Sequence, residues 1–205
     1  MGAVKLTKND LKIQKDRLRQ FERYLPTLRL KKQQLQAVIM KSAAELERAE
    51  KRYAETVDGL DDWVAVFAEN AAFAEDLKIE RLVVPDKVVC GRENIAGVFV
   101  PVFKELTFRD ADYDVDDYPL WVDEALVRLR EISACDALLK TLRKQTELLE
   151  RELRVTTQRV NLFEKIMIPE ARENIRKIEI YLGDQQTSAV VRGKIAKKKR
   201  QGATS

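Results

Sequence analysis

Five aspartates crowd one short stretch of the chain, Asp110, Asp112, Asp114, Asp116 and Asp117, and alternating carboxylates are the raw material of a calcium loop. The stretch lacks the mid-loop glycine and a closing bidentate glutamate at the right offset, so it reads as a solvated acidic loop. Two scattered cysteines, Cys90 and Cys135, cannot build a zinc site, and without C-x-x-C spacing they read as reduced thiols. Histidine, the commonest general base, is absent from all 205 residues, and neither G-x-x-x-x-G-K-[ST] nor G-x-G-x-x-G occurs. No catalytic residue, metal ligand or cofactor site is therefore expected. The run from Arg192 to Arg200, with Lys197, Lys198, Lys199 and Arg200 at its end, has the charge to meet phosphates. It contains no aromatic residue on which a base could stack, which favours a solvated or protein-docking tail over a nucleic-acid site.

The elements that carry these residues are long helices. Charged residues make up 35% of the chain and glycine only 7 residues, a composition of helices with solvated faces rather than of disorder. In alternating steps of 3 and 4 from Leu11, the seam positions run through Leu18, Phe21, Leu25, Leu28, Leu35, Ile39 and Leu46 to Leu60, and eleven of the fifteen are apolar. A 3.5-residue period kept up this long specifies a supercoiling helix whose stripe needs a partner, and about 50 residues would span roughly 75 Å. A second stripe starts at Ile132 and reaches Phe163 with eight of ten positions apolar. It then slips by one residue and resumes at Ile168, Ala171, Ile175, Ile178 and Leu182, which predicts local unwinding near Pro169.

Two stripes in one chain bury each other most simply as an antiparallel coiled coil. If Leu60 lies opposite about residue 125, paired numbers add to about 185, and Pro26 and Pro169 fall in one stretch, where a bend is expected. Between the arms the period changes from 3.6 to 2. The runs Leu82–Cys90 and Val98–Phe103, separated by Gly91, Asn94 and Gly97, predict a β-hairpin with a longer loop, over about 82–108. Pro85 and Pro101 belong on its edges or at strand ends. Short helices are expected at 61–77, carrying Trp63, Val66, Phe67 and Phe73, and at 120–129, carrying Trp121, Val122, Leu126 and Leu129. Their apolar side chains serve either as a small satellite core or as a docking surface.

The fold expected is mainly α: an N-terminal coiled-coil arm (1–60), an acidic insert with short helices and a β-hairpin (61–125), a C-terminal coiled-coil arm (126–184) and a basic tail (185–205). Gly183 and Gly193 are expected to interrupt any helix there, which makes the tail a candidate for disorder outside a partner. Charge divides unevenly along this plan. Residues 1–54 hold 14 Lys and Arg against 6 Asp and Glu, 55–125 hold 6 against 18, 126–184 hold 12 against 10, and 185–205 hold 6 against none. A folded-back chain would be basic at its terminal end and acidic at the other. No apolar run approaches the roughly 18 residues needed to span a bilayer, no signal-peptide h-region is expected near Met1, and Leu6 stands where a myristoylation signal needs Ser or Thr. The chain is expected to be soluble and cytoplasmic.

Two stretches resemble a known family. Arg154-Val-Thr-Thr-Gln-Arg-Val-Asn-Leu-Phe-Glu-Lys-Ile-Met-Ile-Pro169 is similar to the T-x-R-R-V-N-A-L-E then I-P signature of the D subunit of V/A-type rotary ATPases. Asn94-Ile-Ala-Gly-Val-Phe-Val-Pro-Val-Phe103 is similar to that family's N-V-A-G-V then P-V-F segment. Gln158 stands where the family usually has a basic residue, and Leu162-Phe163 replaces Ala-Leu.

The resemblance implies a central rotor axle, not itself an enzyme, that carries torque between a catalytic hexamer and a membrane ion-carrying ring. It implies as partners the catalytic and regulatory subunits, the small F subunit of the stalk and a socket subunit on the ring, with no nucleotide, nucleic acid or membrane bound directly. The location it implies is peripheral, on the cytoplasmic face of a membrane. The candidate partner-binding residues are Arg154, Thr157, Arg159, Asn161, Glu164, Lys165 and Pro169 in the signature, Asn94, Gly97 and Pro101 in the hairpin, and Lys197, Lys198, Lys199 and Arg200 in the tail. Thr157 and Asn161 have an equal reading as polar residues that set coil register, and Asn94 and Gly97 read first as turn residues. A passive coiled-coil tether, and less readily a nucleic-acid-binding coil, are the alternatives. Co-purification with an ATPase hexamer separates them.

Overall fold

A computed structural model describes residues 5–60, 78–109, 113 and 118–202. In chain order these form helix α1 (Lys8–Asp58), a 3-10 turn (Ile79–Arg81), strands β1 (Pro85–Ile95) and β2 (Val98–Phe108), helix α2 (Val122–Leu162), a π turn (Phe163–Met167) and helix α3 (Ile168–Gly202). The expected helix at 61–77 and the acidic run at 110–117, apart from Tyr113, lie outside the described residues. The chain divides into two compact units, one of residues 1–32 with 155–205 and the other of residues 33–154.

Helix α1 opens on a Thr7 side-chain cap. The Thr7 hydroxyl accepts the Asp10 backbone N–H at 3.1 Å, and the Asp10 carboxylate accepts the Thr7 hydroxyl at 2.5 Å. Pro26 lies inside α1 without ending it. Every seam position counted from Leu11 to Leu60 is buried or half-buried, and so is every position counted from Ile132 to Leu182. The one-residue slip coincides with the π turn, in which the Ile168 N–H reaches back five residues to the Phe163 carbonyl. One extra residue in one turn keeps Val160 and Ile168, both buried, on the same face.

In the unit of residues 33–154, Leu35, Val100 and Leu149 are fully buried together, so that β2 sends Val100 into the helix seam. Pro101, Leu106 and Cys90 of the hairpin line a cavity of about 450 Å³ with Ala137, Lys140 and Thr141 of α2. A two-stranded sheet is marginal in water, and this packing is what supports it. Val122 and Leu126 pack with Ile79 and Leu82, flanked by Trp121, Tyr113, Tyr118 and Leu129, as a separate satellite core. That settles the role of the described half of the apolar insert.

Three features differ from expectation. The hairpin loop is short, because Gly91 and Asn94 stay in β1, and the turn is made by Ala96 and Gly97 alone, with φ of 50° and 80°. Two positive φ values match the type I′ geometry that follows the twist of the strands. The helix expected at 120–129 is not separate. It is the first part of α2, whose acidic residues Asp123 and Glu124 suit a helix N-terminus. Gly183 and Gly193 do not interrupt α3, which continues to Gly202. Each glycine lowers helix propensity by only about 1 kcal/mol, and neighbours such as Ala189 and Lys194 favour the helix.

Leu35→Ala should lower unfolding free energy by about 2–5 kcal/mol in urea denaturation, since it opens a cavity between Val100 and Leu149. Met40→Ala, at a position 75% exposed, should change it by no more than about 0.5 kcal/mol.

Candidate partner-binding surfaces

In the unit of residues 1–32 and 155–205, the signature lies on the second helix with its polar side chains turned outward. Thr156 is 1% exposed and Val160 5%, and these hold the seam. Between and beyond them, Arg159, Asn161, Glu164, Lys165 and Pro169 are exposed, and Thr157 is half-buried. Asn161 therefore does not set coil register from within the seam. The buried polar position there is Thr156, a seam residue of the heptad count. Leu162 and Ile166 are also exposed, so the outward face mixes cations with apolar groups.

The two helices of this unit are clipped together by ion pairs beside the seam. Lys15 meets Glu179 at 2.6 Å, Arg29 meets Glu164 at 2.6 Å, and Arg172 meets Glu22 at 2.8 Å. All six side chains are about half exposed, so each pair contributes only about 0–1 kcal/mol. They place the helices in register more than they hold them. Phe21 lies against Phe163 with ring centroids 5.3 Å apart, one residue from the partner the expected register assigns it. Sequence reasoning missed these pairs because flank charges satisfy many registers, and the choice among them is made by the seam. Arg154, Arg159 and Lys165 form no ion pair among the described residues, which leaves their charge available to a partner. Lys197, Lys198, Lys199 and Arg200 are exposed in the last turns of α3, where positive charge suits the helix C-terminus.

The hairpin residues belong to the unit of residues 33–154, and they divide by role. Asn94 Oδ1 accepts the Gly97 N–H at 2.9 Å, so Asn94, near the end of β1, braces the turn that Ala96 and Gly97 make. Pro101 is half-buried and lines the cavity over α2. Beside them, Phe99 is 56% exposed with the Arg92 guanidinium 4.6 Å from its ring, a cation–π pair on the outer face. Neither residue is marked by the sequence pattern alone. Bulges at Asp86 and Lys104 shift the pairing register of the strands away from the turn. Arg154, at the end of this unit, is exposed.

On the outer face of α2, the Lys144 ammonium donates to Glu147 at 2.8 Å and Arg151 adds a contact at 3.2 Å. The hydrogen bond from Lys144, then its charge, holds the Glu147 carboxyl below the usual glutamate value. Cys90 and Cys135 are free thiols. No helix among the described residues is long and apolar enough to cross a membrane.

The comparisons with known proteins agree with one another. A family model described as the D subunit of ATP synthase matches residues 10–198. The D subunit of the V-type ATP synthase of Borreliella burgdorferi is 47% identical over 197 residues, covering 96% of this chain and 95% of that protein. The corresponding V-type ATP synthase protein of Chlamydia felis is 37% identical over 203 residues, covering 98% and 95%. That of Chlamydia pneumoniae is 34% identical over 196 residues, covering 96% and 92%.

Glu164→Ala should change unfolding free energy by less than about 1 kcal/mol, measured by urea denaturation, because the pair it breaks is exposed. In an NMR titration Glu147 should lose its charge at a lower pH than an unperturbed glutamate, and Lys144→Ala should move that midpoint up. The sign follows from the depressed folded value: whatever the contact contributes is present above the unfolded midpoint and fades as pH falls through the folded one.

Proposed function

Because the chain belongs to the family of ATP synthase D subunits, as a component of a V-type ATPase, we propose that it is the central rotor axle of that complex. In this reading it carries torque between the catalytic hexamer and the membrane ion-carrying ring and has no catalytic role of its own. Its partners are the catalytic and regulatory subunits, the small F subunit of the stalk and a socket subunit on the ring, which hold it at the cytoplasmic face of the membrane. The observation that carries the reading is the division of labour across the helices. In each unit the apolar seam is closed, while Arg154, Arg159 and Lys165 stand outward without an ion pair among the described residues.

That arrangement suits an axle for two physical reasons. Torque must pass without shear between the helices, and each fully buried seam side chain stabilises the pair by about 1.5–3 kcal/mol. A turning surface must also exchange neighbours without sticking. Exposed ion pairs of about 0–1 kcal/mol each can be broken and remade in sequence. The basic signature face and tail would then ride against acidic elements of the hexamer, and the acidic insert would meet a basic socket.

Neutralising Lys197, Lys198, Lys199 and Arg200 together should weaken assembly with the hexamer, and the loss should shrink as ionic strength rises and screens the wild-type contact. The measurement is co-purification with the hexamer across a salt series. Equal assembly of mutant and wild type at every ionic strength rejects the electrostatic contact.

A further inference from the structure

The unit of residues 1–32 and 155–205 carries a backbone defect in each of its two helices, and the Phe21–Phe163 contact places the start of the π turn about one and a half turns from Pro26. In α1, Pro26 has no N–H to give the carbonyl four residues back, so one rung of the ladder is missing. In the second helix the π turn Phe163–Met167 replaces the i to i−4 pattern, and Pro169 directly after it again lacks a donor. Phe21 touches Phe163 at 5.3 Å and Arg29 reaches Glu164 at 2.6 Å, so residues on either side of Pro26 both meet the start of the π turn.

Packing covers the π turn only in part, through half-buried Phe163 and Met167. The π turn contains no buried residue, and Glu164, Lys165 and Ile166 are exposed, whereas Val160 before it and Ile168 after it are buried. We propose that Pro26 and the π turn form a single joint, a paired weak point at which both helices open and twist together. The extra residue is not needed to close the seam. With one residue removed from the π turn, the stripe would pass from Phe163 to the present Ile168 in four steps and continue in heptad spacing. The joint is thus a feature added to a coiled coil that would pair without it. This inference rests on the helix geometry of one unit and stands or falls independently of the axle reading.

Native-state hydrogen–deuterium exchange on the full chain tests it, comparing wild type, a deletion of Ile166 and Pro26→Ala. In wild type, amides at 23–29 and 164–168 should exchange at least about tenfold faster than those of the packed turns on either side. Deleting Ile166 should slow exchange at 164–168 and also, across the pair, at 23–29. Pro26→Ala should do the reverse, slowing its own stretch and the π turn opposite. If each change slows only its own helix, or if wild-type exchange there is as slow as in the flanking turns, the joint is overturned. Should the deletion variant fail to fold, Pro26→Ala decides the matter by the same cross-helix effect.

Discussion

A helix with an apolar stripe along one face cannot leave that stripe in water, and in each unit the stripe of α1 is closed by the stripe of the helix that returns beside it. The remaining features follow from that closure. Ion pairs such as Arg29 with Glu164 and Arg143 with Glu50 add little energy, and they form where the seam has already brought the flanks together. The π turn at Phe163–Met167 has the same origin. A stripe that slips by one residue can stay on one face only if the helix takes up the extra residue locally, and a five-residue hydrogen bond does that.

The hairpin depends on the same seam from the other side. Alone, β1 and β2 would be marginally stable, but Val100 is fully buried with Leu35 and Leu149, so the strands hang on the helices through their inner face. The outer face stays free to carry Arg92 and Phe99. Thr141 and Gln145, buried on α2, show what this attachment adds: the helix is covered on the hairpin side as well as along its seam. Thr141 meets its polar requirement within its own helix, its hydroxyl donating to the Ala137 carbonyl at 2.8 Å.

With the seam and the hairpin root closed, what remains for other molecules is charge interleaved with exposed apolar side chains such as Leu162, Ile166 and Phe99. The signature's cations are exposed, the tail is basic, and the insert is acidic along its sequence. Such surfaces steer and orient a partner more than they grip it. That is consistent with membership of the family of ATP synthase D subunits, whose members are parts of a larger complex.

Much of this was open to reading before any coordinates, because a seam is periodic and local. The count of 3 and 4 from Leu11 and from Ile132 found the buried face of both helices, and the slip before Ile168 located the π turn. The turn residues Asn94 and Gly97 were legible because positive φ and side-chain acceptors have few sequence solutions. Non-local choices were not legible. The hairpin loop was expected to be longer because Gly91 and Asn94 look like turn residues, yet pairing with Val102 and Phe99 keeps both in the strand. Gly183 and Gly193 looked like breaks, but a propensity of about 1 kcal/mol is only a weak prior against the residues around it. The same limit applies to the partner surface. The chain's own residues fixed which positions are apolar and which are charged. Only the tertiary structure decided that Thr156 faces inward and Asn161 outward, and which cations find an anion across the seam, because those outcomes depend on the rotation of one helix against another.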